Sequence, residues 1–551
     1  MSSAVTTTPP PAATPSKPRR RRIIPLSAVA GLLIGTALIG QVLGFLRTKL
    51  VNANFPAAGP DSTDAYFAAF AIPDFFFFTV AAGALGVAFM PILADHLHKG
   101  DRKGVWELSA SLMNFLAILM AVVAVVIIIF ARPLIHYIVA PSLDGEQLDN
   151  AVMIMRLIAL NPLLFTISGV LTATQQTMGR FFFYAIAPLF YNGCIIISAL
   201  VFSTAPGHHG GPGDLGLVGL GIGALIGAIL QLLVVMLGLI GTKFHWHPKI
   251  LWKSADFRQI LKQLPPRSLD QGIDQVQSVV EINLASHLGP RFITFYANAY
   301  TLQTAPILLI GTAISTAAFP RLNARLSQGR PDLFRRDFLR ILRAMIWLTM
   351  PVVVVCYFGR GYLARLIFTQ NSAEIAAIFG FLTVAILFRI MYSIISRWFY
   401  AQKDTKTPLF VSIFTIGLNI ALAITLVKIY GVTGLAMAQS VVAMIEVIIL
   451  FTIMLIRDHK LIDPAFFGGV MRIISVTGFT VLTASTVVAL YPLGANDGGL
   501  TVMTKLAIIS TVVLGVHIAL SALFGLEEIK PLFYRLKRLI LKPIKIQQYW
   551  Q

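Results

Sequence analysis

The chain has 551 residues, of which 56% are hydrophobic and only 12% charged, with a mean hydropathy of +0.78. A soluble globular protein carries about 25% charged residues, so these figures exclude a soluble enzyme and place most of the chain in lipid. Two cysteines, Cys194 and Cys356, both inside apolar stretches, exclude a disulfide framework or a cysteine metal site.

Residues 1–22 are rich in Pro, Thr and Ala and end in Arg19-Arg20-Arg21-Arg22, which predicts a disordered basic arm. Stretches long enough to cross a bilayer follow at 26–50, 62–94, 106–131, 151–177, 181–203 and 215–241. A basic, partly amphipathic link occupies 242–266. Spans resume at 267–288, 292–320, 337–358, 374–401, 407–429 and 431–456, and two more cover 469–491 and 500–524. Pro73, inside the second span, removes a backbone hydrogen bond and predicts a kink. The tail, 527–551, mixes Lys530, Arg535, Lys537, Arg538, Lys542 and Lys545 with apolar residues and reads as an amphipathic helix on the membrane surface.

The series is written twice. Pro91, Leu93, Leu97 and Gly100 return as Pro320, Leu322, Leu326 and Gly329, and Ala173 and Thr177 return as Ala401 and Thr405. Both echoes keep an offset of about 230 residues, the signature of a duplicated transporter core. The predicted fold is therefore all-α integral membrane, with about fourteen helices. Two pseudo-symmetric six-helix lobes, 23–241 and 267–456, flank a central cavity, and two C-terminal helices within 457–526 are appended.

The net charge of +20 invites a nucleic-acid reading, which its placement rejects. About thirty Lys and Arg fall at alternate connections, on one side, and about five on the other. This asymmetry predicts a multi-pass membrane protein with both termini cytoplasmic, its basic side facing anionic lipid.

Ionisable residues inside the spans cost several kcal/mol on most scales and call for a function. Arg47 and Lys49 close the first span, Asp64 opens the second, and Asp74 sits beside Pro73. Asp270, Asp274 and Glu281 share one face of the seventh. Arg389 and Arg397 lie in the tenth, Thr415 and Asn419 share a face of the eleventh, and Glu446 lies in the twelfth. Such a set predicts a water-filled cavity in which Arg47, Arg389 and Arg397, with Asp64 and Asp74, bind substrate through phosphate clamping. Glu281, Asn419 and Thr415 are candidates for coupling Na⁺ or a proton, the only ion expected. No G-x-x-x-x-G-K-[ST] loop is present, so the energy is expected from an ion gradient or the membrane potential. No enzyme motif and no cofactor are expected.

Several runs then resemble one family. Gly44-Phe45-Leu46-Arg47, Thr63-Asp64-Ala65-Tyr66-Phe67-Ala68-Ala69-Phe70-Ala71-Ile72-Pro73-Asp74, Ala88-Phe89-Met90-Pro91-Ile92-Leu93 and Phe399-Tyr400-Ala401-Gln402-Lys403-Asp404-Thr405-Lys406-Thr407-Pro408 are similar to the MurJ (MviN) lipid II flippases. The resemblance spans nearly the whole chain. It implies the multidrug/oligosaccharidyl-lipid/polysaccharide exporter superfamily and carriage of the undecaprenyl-pyrophosphate-linked peptidoglycan precursor to the outer leaflet by alternating access. It further implies a cationic cavity, to which Arg47 and Asp64 correspond, and a lipid-tail groove formed by the last two helices. Membrane lipids are expected partners, and the cell-wall synthesis machinery is a further candidate. The chain departs from the family at Gln41, at Phe77 and Phe78, and at Asn298-Ala299, where arginines or an Asp-Arg pair are usual. Two readings stay open beside the flippase: an exporter of another lipid-linked oligosaccharide or amphipathic drug, and a non-transporting membrane scaffold.

Overall fold

The computed structural model describes residues 26–82, 89–206, 210–242, 244–368 and 371–530. The N-terminal arm and nearly all of the tail lie outside the described residues, as do the side chains of Asp270 and Asp274. The first half comprises α1 (Leu26–Asn54), α2 (Thr63–Phe76), α3 (Met90–His98), α4 (Arg102–Pro133), α5 (Gly145–Ile158), α6 (Asn161–Thr177), α7 (Phe182–Val201) and α8 (Val218–Leu237). The second half comprises α9 (Ala255–Ser286), α10 (Phe292–Pro306), α11 (Ala313–Ser327), α12 (Pro331–Phe358), α13 (Arg360–Ile367), α14 (Ser372–Ala401), α15 (Lys406–Tyr430) and α16 (Val432–Arg457). The appended pair is α17 (Pro464–Leu490) and α18 (Gly499–Leu523).

Among the described residues, 12 helices or joined helices are long and apolar enough to cross a membrane. They correspond to all but the second and seventh of the expected spans. The second is divided between α2 and α3 around residues outside the description, and the seventh, α9, carries too many polar residues to qualify on composition. Large side chains such as Val122, Ile129, Ile197, Phe410, Phe414 and Leu482 are exposed on the outside, as a multi-pass membrane protein requires.

The duplication is visible in the packing. In the first half α1 packs on α7, α4 on α6 and α7 on α8; in the second, α9 packs on α15, α12 on α14 and α15 on α16. Backbone irregularities repeat too. Helix α2 widens into a π-helix at Phe77–Ala82, and α10 does so at Ile307–Thr312, at the same place in the repeat. Pro73 stands just before the first π-helix and Pro306 immediately before the second. A proline supplies no N–H to the ladder, and the helix accommodates it by widening.

The appended pair packs against the second half, α17 on α12 and α18 on α13, around Tyr362, Ala484, Ile509 and Val513. Helix α9 belongs to both halves. Phe257 and Ile260, near its start, are fully buried in the core of the first half with Leu93 and Leu112, whereas Ala285, near its end, joins the main cluster.

Candidate functional site

Each half holds a polar group of its own, and a third ties the halves together at one rim. In the first half, Arg47 of α1 acts electrostatically on Tyr66 and Asp74 of α2 and on Tyr191 of α7. Phe77 packs edge-on against Phe165 with ring centroids 5.4 Å apart, and Phe165 against Tyr191 at 5.2 Å. The aromatic residues that stand where the family usually has arginines thus build a wall beside Arg47 and Asp74, with Phe78 39% exposed at its end.

The second half holds a larger network. Glu281 of α9 is 3% exposed and accepts a hydrogen bond from Gln277 Nε2 at 2.8 Å and another from the Tyr296 hydroxyl. Arg389 of α14 pairs with Glu446 of α16 at 3.4 Å, and Ser412 Oγ donates to the same carboxylate at 3.0 Å. A cavity of about 230 Å³ is lined by Glu281, Tyr300, Gln303, Arg389 and Gln439 among others. Buried Gln303 Oε1 and Asn419 Nδ2 have no hydrogen-bond partner among the described residues. Buried polar atoms left unpaired ask for a water, an ion or a ligand. The Thr415 hydroxyl instead donates to the Ser412 carbonyl on its own helix at 3.1 Å.

Asp64 occupies a different place from the other candidates. It is 1% exposed and reaches from α2 to the start of α10. Its carboxylate accepts from the Arg291 backbone N–H at 2.6 Å, and from the Thr294 N–H and hydroxyl at 2.7 and 2.6 Å. An acid of one half therefore caps a helix of the other, satisfying N–H groups that α10 cannot pair internally. Thr63 to Thr294 at 2.9 Å and Asn52 to Asn298 at 2.8 Å extend this seam. It lies on the rim opposite the basic connections. Asn298, where the family usually carries charge, is thereby part of a neutral lobe contact.

Arg397 stands apart from Arg389, near the basic end of α14, with its guanidinium 5.3 Å from the Phe319 ring centroid. The structure thus brings Arg47 together with Asp74, and Arg389 together with Glu446. It separates these two sets from Asp64 and Arg397. Lys49 lies with Val42, Phe45, Leu309 and Met503 on an apolar groove of about 640 Å³ between α1, α10, α13 and α18. Tyr296, Gln303 and Gln439 were missed by looking for charge, although an amide or phenol within an apolar span was the available signal.

The family model described as "Lipid II flippase MurJ" matches residues 58–514. The chain belongs to this family. A probable lipid II flippase MurJ of Borreliella burgdorferi is 24% identical, over 76% of this chain and 82% of its own length. The lipid II flippase MurJ of Burkholderia cenocepacia is 26% identical, over 76% and 81%. Among solved structures, an inward closed conformation of lipid II flippase MurJ superposes with a TM-score of 0.72 and 21% identity, over 90% of this chain and 98% of that one. An inward-facing MATE-family multidrug transporter of the MOP superfamily superposes at 0.63 and 17% identity, over 78% and 98%. These structures show the expected fold, and the family match bears out the resemblance read from the motifs.

Proposed function

We propose that this chain is a lipid II flippase that carries the undecaprenyl-pyrophosphate-linked precursor from the inner to the outer leaflet by alternating access. The observation that carries the reading is the family match over 58–514. The site supplies the chemistry. Arg47 offers a fixed cation to the pyrophosphate beside a wall of aromatic rings, and Arg389 and Arg397 extend the clamp toward the basic side. Asp74 positions Arg47. The apolar groove beside Lys49 accommodates part of the polyprenyl chain, with Met503 contributed by the appended pair.

Asp64 acts as the latch of the far rim. The seam it anchors must break for the cavity to open on that side. Glu281 and Asn419, on the mutually packed α9 and α15, with Thr415 one turn from Asn419, form the site for a coupling ion, Na⁺ or a proton. Binding there would change the balance between the two conformations. The positive-inside asymmetry supports a cytoplasmic basic rim and cytoplasmic termini, and the family match supports a bacterial inner or plasma membrane. The cell-wall synthesis machinery is the partner class that such cargo would meet.

The test is complementation in a bacterium depleted of its own lipid II flippase, with precursor accessibility at the outer leaflet followed directly. Rescue with restored accessibility is expected. Full membrane insertion with neither would overturn the cargo assignment.

A further inference from the structure

Helix α9 packs against elements of both halves, and its first turn is held by a histidine between two acids. His96, near the end of α3, lies between two carboxylates: Nδ1 is 2.9 Å from Asp101 Oδ2, and Nε2 is 2.9 Å from Asp256 Oδ2. Asp101 caps α4, accepting from the Gly104 N–H at 2.9 Å, and Asp256 lies in the first turn of α9. A carboxylate only accepts, so both ring nitrogens must donate, which requires the imidazolium. A neutral ring donates to one acid and turns a lone pair toward the other.

We propose that His96, clamped between Asp101 and Asp256, is a protonation-dependent latch that fastens the start of α9 to the first half and releases it when the ring loses its proton. The latch stands on geometry built around it. A Cβ at Gly104 would come within 2.1 Å of Asp101 Oδ2 and 2.7 Å of His96 Nδ1, so any larger residue there would displace the clamped side chains. The link before α9 is tied to α4 by bonds that do not titrate. Trp246 Nε1 donates to Asn114 Oδ1 at 2.9 Å, and Asn114 Nδ2 donates to the His247 carbonyl at 2.7 Å. His96 is thus a titratable tie beside these neutral ones.

The charged groups facing the ring are Asp101 from the turn and Asp256 from α9. Lys103 acts on Asp101 and pairs with Glu107 at 3.7 Å. Arg258, bonded to the Lys253 carbonyl at 3.4 Å, flanks Asp256. Partial burial disfavours the charged ring, but the bonds to both acids outweigh it and raise the His96 pKa above its ordinary value. The sign follows. The latch is fully made below about pH 6.5, the usual histidine value, and is lost as pH rises through the raised one.

The second half shows what a latch without titration looks like. Arg325, just before Leu326, stands where His96 stands before Leu97. Its Nε donates to buried Asp337 at 3.1 Å, and Arg321 adds bonds at 3.0 and 3.1 Å. That clamp stays within its own half and uses guanidinium donors in place of an imidazole.

Hydrogen exchange of residues 255–262 tests the proposal, using full-length protein in lipid nanodiscs between pH 6 and 9 and correcting for intrinsic exchange rates. Protection in the wild type is expected to fall several-fold as pH rises. His96→Arg should hold it high at every pH, and His96→Gln should hold it low at every pH. Wild-type protection that does not change with pH, or His96→Gln protection equal to the wild type at pH 6, would overturn the latch. Its role in gating rests on the alternating-access reading, but the exchange experiment needs no transport, so the two can fail separately.

Discussion

The two halves share a frame and differ in what they hold. Helix pairs recur in the same order, and both second-position helices widen into π-helices at the same place. Yet the first half presents Arg47 and Asp74 against aromatic rings, whereas the second buries Glu281 and Glu446, with half-buried Arg389 and several amides at a polar cavity. Duplication therefore preserved the mechanical scaffold and freed the chemistry to diverge. An anionic head group fits Arg47, with Arg389 and Arg397 extending the clamp from the second half, and an exchangeable ion fits the buried acids and unpaired amides of the second half.

The largest effect expected from breaking this division is at Arg47. Arg47→Ala should abolish flippase function while membrane abundance stays unchanged, because the side chain supplies charge to cargo and little to packing. Normal growth of a strain relying on the variant would remove Arg47 from the clamp. On the other side, Glu281→Gln keeps the size and hydrogen-bonding reach of the side chain but removes its charge. Transport should lose its response to Na⁺ or pH, and an unchanged response in reconstituted vesicles would assign coupling elsewhere.

The seam between the halves comes next. Asp64 makes three hydrogen bonds to α10, and bonds to a charged partner contribute about 1.5–3 kcal/mol each. Asp64→Ala should shift the conformational balance toward far-rim opening by tenfold or more. Spin labels placed on either side of the seam would show the longer distance gaining population. Labels reporting an unchanged distribution would mean that Thr63, Asn52 and Asn298 hold the rim without it.

How far the sequence foretold this architecture differs between frame and site. The spans, the duplication and the family were legible because lipid demands long apolar runs and because Pro91 to Gly100 returns as Pro320 to Gly329. In the sequence the second and seventh spans read as bilayer-length stretches like the rest, although α9 carries too many polar residues to qualify on composition. The grouping of polar residues was not legible. Nothing local to Asp64 says that its partners are backbone N–H groups at Arg291 and Thr294, since a cap contributed by another helix leaves no spacing to read. Arg389 and Arg397 share a helix face by position, but only tertiary packing pairs the first with Glu446 and leaves the second beside Phe319. His96 was invisible for the same reason: its two acids lie five and 160 positions away.

The smallest effect sharpens the comparison between titrating and fixed latches. Asp404, in the turn between α14 and α15, accepts from Thr407 Oγ1 at 2.7 Å and from Arg457 Nη1 at 2.5 Å. Burial alone would raise its pKa, but these bonds and the Arg457 charge outweigh that and hold it at about 2. A carboxylate with a depressed pKa contributes stability that is fully present above its ordinary value, near 4, and lost only as pH falls through the depressed one. Asp404→Asn should therefore lower thermal stability by about 1 kcal/mol, the scale of a partly exposed ion pair, and by the same amount at pH 6 and pH 9. The His96 variants should differ from the wild type over that very interval. A stability difference at Asp404 that changed between pH 6 and 9 would show that the fixed clamps of the basic rim are coupled to the titrating one, and that the two halves do not loosen independently.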